Sequence, residues 1–279
     1  TLHLANRGLT PDEIAEEMKL PASLASQFNC RGYYGTLSHN VKAQYDLYFG
    51  WFNGNPAHLN PLPPSELGAK YVEAIGGEDK VLEVAKVSYA KGEYRWVATL
   101  LDNLVFAEPE NKEARQLLAD TYTQLGYQAE SGPWRNFYLT GARDLFKKDV
   151  PYTSQLINDG VLAQMDMGTL LDYCAIQLNG KKAAGKEAVI NINFTDTKEK
   201  VMLMLNNGVL NHRLGSQDKK ADLTMEIAKM DFVKLFFGRT DLQTLHKTNK
   251  VKTTGDTKAI DIIRSACEPA DPNFKIVLP

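Results

Sequence analysis

The sequence predicts a helical amino-terminal domain with tetratricopeptide-like helices, followed by an α+β domain. Two observations predict this order: helical periodicity dominates the chain up to residue 146, and alternation with a period of two first appears in residues 188–194. A third observation concerns the boundary, because the polar run KKDVP at residues 147–151 separates the two patterns. We therefore predict one domain at residues 1–148 and a second at residues 149–279.

The composition is that of a globular protein. Of the 279 residues, 43% are hydrophobic and 24% are charged. The net charge of -2 and the pI near 6.2 offer no basic face to nucleic acid. The three cysteines form no CxxC pair, and no apolar run approaches the roughly 18 residues that span a bilayer. We therefore expect no nucleic-acid partner, no disulfide scaffold and no transmembrane segment.

The first residues have the pattern of a helix interior. The chain begins with Thr1 instead of Met, residues 2–6 already have helical character, and the given sequence does not open with a signal peptide. We expect the chain to be a piece of a longer protein. A helix start follows at Thr10, since Thr10 and Glu13 can form a capping box and Pro11 suits the first helical position.

Residues 32–56 combine seven aromatic rings and four glycines with a group of polar side chains. We interpret this segment as a helix entered through a tight turn, with the turn placed to contact a ligand. We expect the aromatic run behind the turn to be mainly core that fixes its position. The polar group comprises Ser38, His39, Asn40 and Lys42.

Three residues near this turn are candidates for binding an anion. The Tyr34 hydroxyl can point at an anion beside the backbone N–H groups of a helix entrance, or the ring can be packed in the core. His39 can contact a substrate or bond to the neighbouring turn. Arg31 can pair with an oxyanion or lie on the surface as an ordinary arginine.

The rest of the helical domain contains an extended connector and an internal repeat. Prolines in residues 60–64 predict the connector. Gly92 and Gly126 are 34 residues apart, as are Ala85 and Ala119, which is the tetratricopeptide period. Two repeats are too few for a free-standing solenoid, so we expect them to pack on the aromatic helix or on a partner subunit. The predicted helices span residues 65–75, 81–90, 96–107, 111–125 and 134–146.

The second domain is predicted to contain five strands in an antiparallel or mixed sheet. Its clearest signals are the alternation AVININF in residues 188–194 and the hairpin dipeptide Asn207-Gly208. Methionines and phenylalanines near the sheet can line an apolar cavity or fill a plain core. The predicted strands span residues 188–194, 200–205, 209–214, 221–227 and 250–254, and the helices 153–162, 169–178, 232–237 and 258–267.

The motifs of most catalytic sites are missing from this sequence. The five histidines form no HxH, HExxH or HxxxH pair, so no metal site is indicated. GxSxG, P-loop and GxGxxG motifs are also missing. Considered alone, the chain does not have the sequence of an enzyme.

Several segments nevertheless resemble a known family, the bacterial alkylsulfatases of the metallo-β-lactamase superfamily. The run YGTLSHNVKAQYDLYFGWFNGNPAHL at residues 34–59 resembles the family pattern YG(T/S)xxHNxKAxYxxYxGWFxGNPA. Residues 2–21 and 85–115 are similar to the dimerisation region of that family. Residues 192–210, with ADLTMEI at residues 221–227, look like its carboxyl-terminal domain, which is similar to sterol carrier protein 2.

The resemblance implies that catalysis, dimerisation and alkyl-chain binding belong to different domains. The family hydrolyses alkyl sulfates such as dodecyl sulfate to alcohol and sulfate with two zinc ions, bound by an amino-terminal domain whose HxHxDH motif is missing here. The isolated chain is then expected to be inactive, to bind no zinc and to form a homodimer. Its carboxyl-terminal domain is expected to bind the alkyl chain, and the protein to be periplasmic or secreted. The dimerisation domain lends a tyrosine to the sulfate pocket, for which Tyr34 matches best and Tyr33 second.

A different class of protein is the alternative to this resemblance. The repeats can bind a protein partner while the α+β domain carries a lipid, which describes a non-catalytic lipid carrier or adaptor with tetratricopeptide-like helices. The reading frame upstream of Thr1 distinguishes the two, because only an alkylsulfatase needs a hydrolase domain there.

Overall fold

The computed structural model describes residues 1–146, 158–271 and 273–279. Contacts divide the chain into two compact units, Thr1–Val150 with Asn273–Pro279, and Pro151–Pro272. The first unit is helical and the second is α+β, so the predicted fold classes are confirmed. The predicted boundary between residues 148 and 149 lies outside the described residues and stays a prediction.

Nine α-helices lie within residues 1–146, and most begin where the sequence signals predicted. The capping box is present, with the Glu13 N–H donating to Thr10 Oγ1 and the Thr10 N–H donating to Glu13 Oε2. Gly76 ends its helix in the left-handed conformation that glycine favours. The helices are α1 (Leu2–Ala5), α2 (Pro11–Glu17), α3 (Ala22–Ala25), α4 (Leu37–Phe49), α5 (Pro64–Ile75), α6 (Glu78–Ala90), α7 (Tyr94–Ala107), α8 (Lys112–Gln128) and α9 (Gly132–Asp144).

The core of the helical unit surrounds α7, which packs against α5, α6 and α8. Helices α5 and α7 approach to backbone contact, because a Cβ on Gly68 would lie 2.4 Å from the Asn103 carbonyl oxygen. Leu278, from the last residues of the chain, is buried in the same core cluster as Leu145 of this unit.

The 34-residue repeat is present, although one of its marker glycines has a different role. Helices α6 and α8 begin 34 residues apart, and Ala85 and Ala119 are both buried in them. The predicted helix end at Gly126 is wrong, because α8 continues to Gln128. A Cβ on Gly126 would lie 2.9 Å from Leu139 Cδ2. This glycine therefore allows α8 and α9 to pack closely instead of forming a turn.

The second unit is built on a five-stranded mixed sheet with the order β3-β2-β1-β4-β5. Strands β1 and β4 are parallel, and the other neighbouring pairs are antiparallel. Asn207 and Gly208 both adopt positive φ in the hairpin between β2 and β3, as predicted. The strands are β1 (Ala188–Phe194), β2 (Lys200–Asn206), β3 (Val209–Leu214), β4 (Leu223–Ile227) and β5 (Val251–Gly255).

Helices pack around this sheet and enclose its apolar core. Asn179, which follows the predicted helix at residues 169–178, caps the next short helix by accepting from two backbone N–H groups. The predicted helix at residues 153–162 lies partly outside the described residues. The helices are α10 (Asp159–Gln164), α11 (Met167–Ala175), α12 (Gly180–Ala183), α13 (Lys229–Phe236), α14 (Leu242–Lys247) and α15 (Lys258–Ala266), of which α12 and α14 were not predicted.

Candidate functional site

The turn that precedes α4 carries Tyr34 on an exposed, well-defined backbone. Thr36 caps the helix, since its Oγ1 accepts from the His39 N–H over 2.9 Å. The Tyr34 side chain is 82% exposed, and its hydroxyl makes no hydrogen bond to any part of the chain that the structure describes. Of the two alternatives for Tyr34, packing in the core is therefore wrong, and the ring is free to contact a ligand.

The aromatic run behind this turn lies mostly on the surface, so the prediction that it is core is wrong. Tyr48 is 61% exposed and Trp51 73%, and within α4 only Val41 is buried. The physical reason is length, because α4 packs on α2, which has seven residues against thirteen in α4. At 1.5 Å per residue, α2 covers about 10 Å of a helix about 20 Å long.

The loop before α9 holds the backbone of the two tyrosines. The Gly132 N–H donates to the Tyr33 carbonyl oxygen over 2.8 Å. The Ser131 hydroxyl donates to the Tyr34 carbonyl oxygen over 2.5 Å, and Ser131 is 1% exposed. Both bonds join main-chain carbonyls to the start of α9, so they fix the path of the turn and leave the Tyr34 ring free.

Arg31 and His39 are also held by this part of the chain. Arg31 forms an ion pair with Glu130, and its guanidinium carbon lies 5.4 Å from the centre of the Tyr33 ring. His39 Nδ1 accepts from the indole N–H of Trp134 over 3.1 Å. The positive charge of Arg31 is thus already paired, whereas His39 keeps its second ring nitrogen for another partner.

A cleft of about 620 Å³ lies beside the turn. Arg31, Gly35, Asn40 and Lys19 line it, but Tyr33, Tyr34 and His39 do not. The four predicted residues are therefore close in sequence and share one turn and helix entrance, but Arg31 is the one of the four that lines this cleft. Sequence reasoning missed Lys19 and the loop before α9, and nothing local in the sequence connects them with the turn.

The α+β unit contains a smaller cleft of about 240 Å³. Phe236, Phe237 and Cys267 form its apolar lining, and Arg264 supplies a guanidinium whose ion pair with Asp261 is long, at 3.7 Å. Burial raises the pKa of the Cys267 thiol, so this wall stays uncharged at neutral pH. The cleft is thus apolar on one side, and its charged lining residues are Arg264 and Glu268, whose carboxylate forms an ion pair with Lys182.

The methionines and phenylalanines singled out in this domain mostly fill its core. Met202, Met225 and Phe232 are buried in the apolar core, and Phe236 is the one member of the set that also lines the cleft. Of the two alternatives, core packing is therefore confirmed for most of the set.

No three histidine, cysteine, aspartate or glutamate side chains among residues 1–146, 158–271 and 273–279 form a group that could hold a metal ion. No helix in the same residues is long and apolar enough to cross a membrane.

Fold and sites together define a two-domain protein, with a helical unit that presents an anchored tyrosine and an α+β unit that carries an apolar cleft. Two protein-family models identify the family of each domain. The model described as alkyl sulfatase dimerisation matches residues 10–148, and the model described as alkyl sulfatase C-terminal matches residues 155–279. The chain belongs to the alkylsulfatase family.

Individual relatives agree with this assignment. A linear primary-alkylsulfatase from Pseudomonas sp. is 46% identical over 281 residues, which cover 100% of this chain and 42% of the relative. The alkyl/aryl-sulfatase BDS1 of Saccharomyces cerevisiae is 40% identical and is covered to 43%. The chain therefore spans about two fifths of the length of these relatives.

A solved structure is similar over the whole chain. The stereoselective inverting sec-alkylsulfatase Pisa1 from Pseudomonas sp. superposes with a TM-score of 0.94 at 42% identity. The match covers 100% of this chain and 44% of Pisa1. The described fold is thus that of the corresponding part of an alkylsulfatase.

Proposed function

We propose that this chain is the carboxyl-terminal portion of an enzyme that hydrolyses alkyl sulfates, such as dodecyl sulfate, to alcohol and sulfate. In this proposal Tyr34 donates a hydrogen bond to the sulfate group, and the turn that carries it forms one wall of the sulfate pocket. One observation carries the proposal: Tyr34 is a surface tyrosine with a free hydroxyl on a backbone that is held in place. Family membership supplies the substrate class.

The substitution Tyr34→Phe in the full-length protein tests this role. Loss of a charge-assisted hydrogen bond of about 1–3 kcal/mol should raise the KM for dodecyl sulfate by about 5- to 150-fold and leave the melting temperature unchanged. Tyr127→Phe is the matched control, because Tyr127 is 69% exposed elsewhere in the helical unit. Unchanged kinetics of Tyr34→Phe, whatever its melting temperature, would overturn the proposal.

The two zinc ions are proposed to bind to a hydrolase domain outside this chain, where they would activate the attacking water. The isolated 279-residue chain should then bind no zinc and should not hydrolyse dodecyl sulfate. Turnover by this chain in the presence of a chelator would contradict the proposal, whereas activity restored by the hydrolase domain would support it. We also propose, from the resemblance to the family, that the protein is periplasmic or secreted, which cell fractionation tests.

The exposed aromatic end of α4 is proposed to lie in a homodimer interface. Leu47, Tyr48 and Trp51 are all more than 60% exposed, and adjacent apolar side chains of this kind mark an interaction surface. The occupant we propose is a second copy of the chain, since the family model that matches this region describes dimerisation. Trp51→Glu should lower the sedimentation coefficient from that of a dimer to that of a monomer. Trp96→Glu, outside this surface, is the control and should leave the dimer intact. An unchanged dimer with Trp51→Glu would refute this interface.

The α+β unit is proposed to bind the alkyl chain of the substrate. Its cleft has apolar walls for methylene groups, formed by Phe236, Phe237 and Cys267. Each buried methylene group contributes about 0.8 kcal/mol, so affinity should rise with chain length. Calorimetry with alkyl sulfates of eight and twelve carbons tests this, and equal affinity for both would contradict it.

A further inference from the structure

The four candidate residues of the sulfate pocket are each held by the same short segment. Residues 130–134 end the loop after α8 and begin α9, and we call them the anchor segment. Each contact joins one residue of the turn or helix entrance to one residue of this segment. The pairs are Arg31 with Glu130, Tyr33 with Gly132, Tyr34 with Ser131, and His39 with Trp134.

Ser131 is the most buried of the side chains in this segment that make these contacts. It is 1% exposed, and its hydroxyl donates to the Tyr34 carbonyl over 2.5 Å while accepting from the Trp134 N–H over 3.4 Å. A hydroxyl has one proton to donate, and here that proton is used on Tyr34. The side chain of Tyr34 makes no hydrogen bond within the described ranges. The main chain that Ser131 holds therefore fixes the Cα–Cβ bond from which the Tyr34 ring projects.

We propose that Ser131 is a positioning residue for the alkyl sulfate, which acts on the substrate only through Tyr34. This inference rests on the proposed function, because it takes Tyr34 as the contact with sulfate. Ser131 is buried under the turn and does not itself reach a ligand. Its bond fixes the backbone from which the Tyr34 ring projects, so losing it should weaken binding by letting the ring direction vary.

A double-mutant cycle in the full-length protein tests the proposal, with KM and kcat for dodecyl sulfate measured for each variant. Ser131→Ala should raise KM by about 3- to 10-fold with little change in kcat, because a substrate contact is loosened. In the Tyr34→Phe background the same substitution should raise KM by less than about 2-fold, because the route through the Tyr34 hydroxyl is already gone. Ser131→Thr keeps the hydroxyl and should restore most of the affinity.

Melting temperatures distinguish a positioning role of Ser131 from a purely structural role. Ser131 also caps α9, so Ser131→Ala should lower the melting temperature equally in both backgrounds. If Ser131→Ala does not fold, Ser131→Gly removes the hydroxyl at a residue type that caps helices nearly as well. An equal rise in KM in both backgrounds, or no rise with Ser131→Ala, would overturn the proposal. If Tyr34→Phe alone leaves KM unchanged, the proposed function itself fails, and this inference fails with it.

Discussion

The indole N–H of Trp134 donates a hydrogen bond to Nδ1 of His39 over 3.1 Å. Indole is a donor only, so Nδ1 is the acceptor and the neutral imidazole carries its proton on Nε2. The side chain of His39 is exposed. In the neutral imidazole this contact therefore leaves Nε2–H as a hydrogen-bond donor.

Replacing Trp134 should remove the contact that selects the Nε2–H tautomer of His39. In Trp134→Phe the Nδ1 atom loses its donor, so we expect a mixture of tautomers at His39. Nitrogen-15 chemical shifts of the imidazole measure the ratio of the two tautomers. The control is Trp96→Phe, which removes a half-exposed indole elsewhere in the unit. An unchanged Nε2–H tautomer in Trp134→Phe would show that another contact sets it.

Asp102 should make the helical unit less stable as pH rises. Burial raises the pKa of its carboxyl, and neither oxygen has a hydrogen bond or ion pair among the described residues. The folded state thus binds the proton more tightly than the unfolded state. Stability is lost as pH rises from the ordinary aspartate pKa through the raised folded pKa.

Asp102→Asn should remove the loss of stability that Asp102 causes as pH rises. We expect the variant to melt at a higher temperature than the wild-type chain at pH 7 and at the same temperature at pH 3, measured by circular dichroism. Asp46→Asn, on the exposed side of α4, is the control and should show no such gain. A variant less stable than the wild type at pH 7 would show that the Asp102 carboxylate has a stabilising partner.

Gly68 should not tolerate a methyl group. A Cβ there would lie 2.4 Å from the Asn103 carbonyl oxygen, so Gly68→Ala should push α5 from α7 and cost about 1–3 kcal/mol. Gly141→Ala is the control within α9, since its Cβ would meet neighbours at 3.4 Å and longer. Alanine is the better helix former by about 1 kcal/mol, so this control should be neutral or stabilising. Urea unfolding measures both, and equal stability of the two variants would refute the close contact.

The buried Lys229 should stabilise the α+β unit against unfolding through its hydrogen bonds to backbone carbonyl groups. Its Nζ donates to the Ala163 and Met165 oxygens, and thereby joins the end of α10 to the start of α13. Lys229→Met keeps much of the side-chain volume but removes both bonds, which should cost about 1–3 kcal/mol in thermal unfolding. Lys252→Met on β5 alters an exposed lysine and should stay within about 0.5 kcal/mol. A neutral Lys229→Met would mean that the carbonyls find water instead.

Much of the secondary structure could be predicted because its signals are local. Strands β1 and β3 lie at the predicted residues, since alternation and an Asn-Gly turn fix their register within a few positions. Gly126 is a residue whose role local sequence signals did not predict. Its spacing from Gly92 indicated a turn, but the residue is small because Leu139 packs against it, and that contact depends on the tertiary structure.

The candidate site was harder to predict, and the reason is again distance along the chain. The aromatic residues of α4 have core-like spacing, and their exposure follows from the shortness of α2. Ser131 is 97 residues from Tyr34, and the Ser-Gly-Pro sequence at residues 131–133 indicates an interruption between helices without indicating what the serine proton bonds to. The roles of Arg31, Tyr33, Tyr34 and His39 in substrate binding stay predictions.

Leu278 and Val277 pack in the core of the helical unit, although the whole α+β unit precedes them in sequence. The helical unit is therefore a discontinuous domain. An expression fragment that stops at residue 148 would lack these two side chains and would uncover apolar surface around Leu145. A fragment intended for the dimer studies should instead join residues 1–146 to residues 273–279 through a flexible linker, so that the core keeps its last two members.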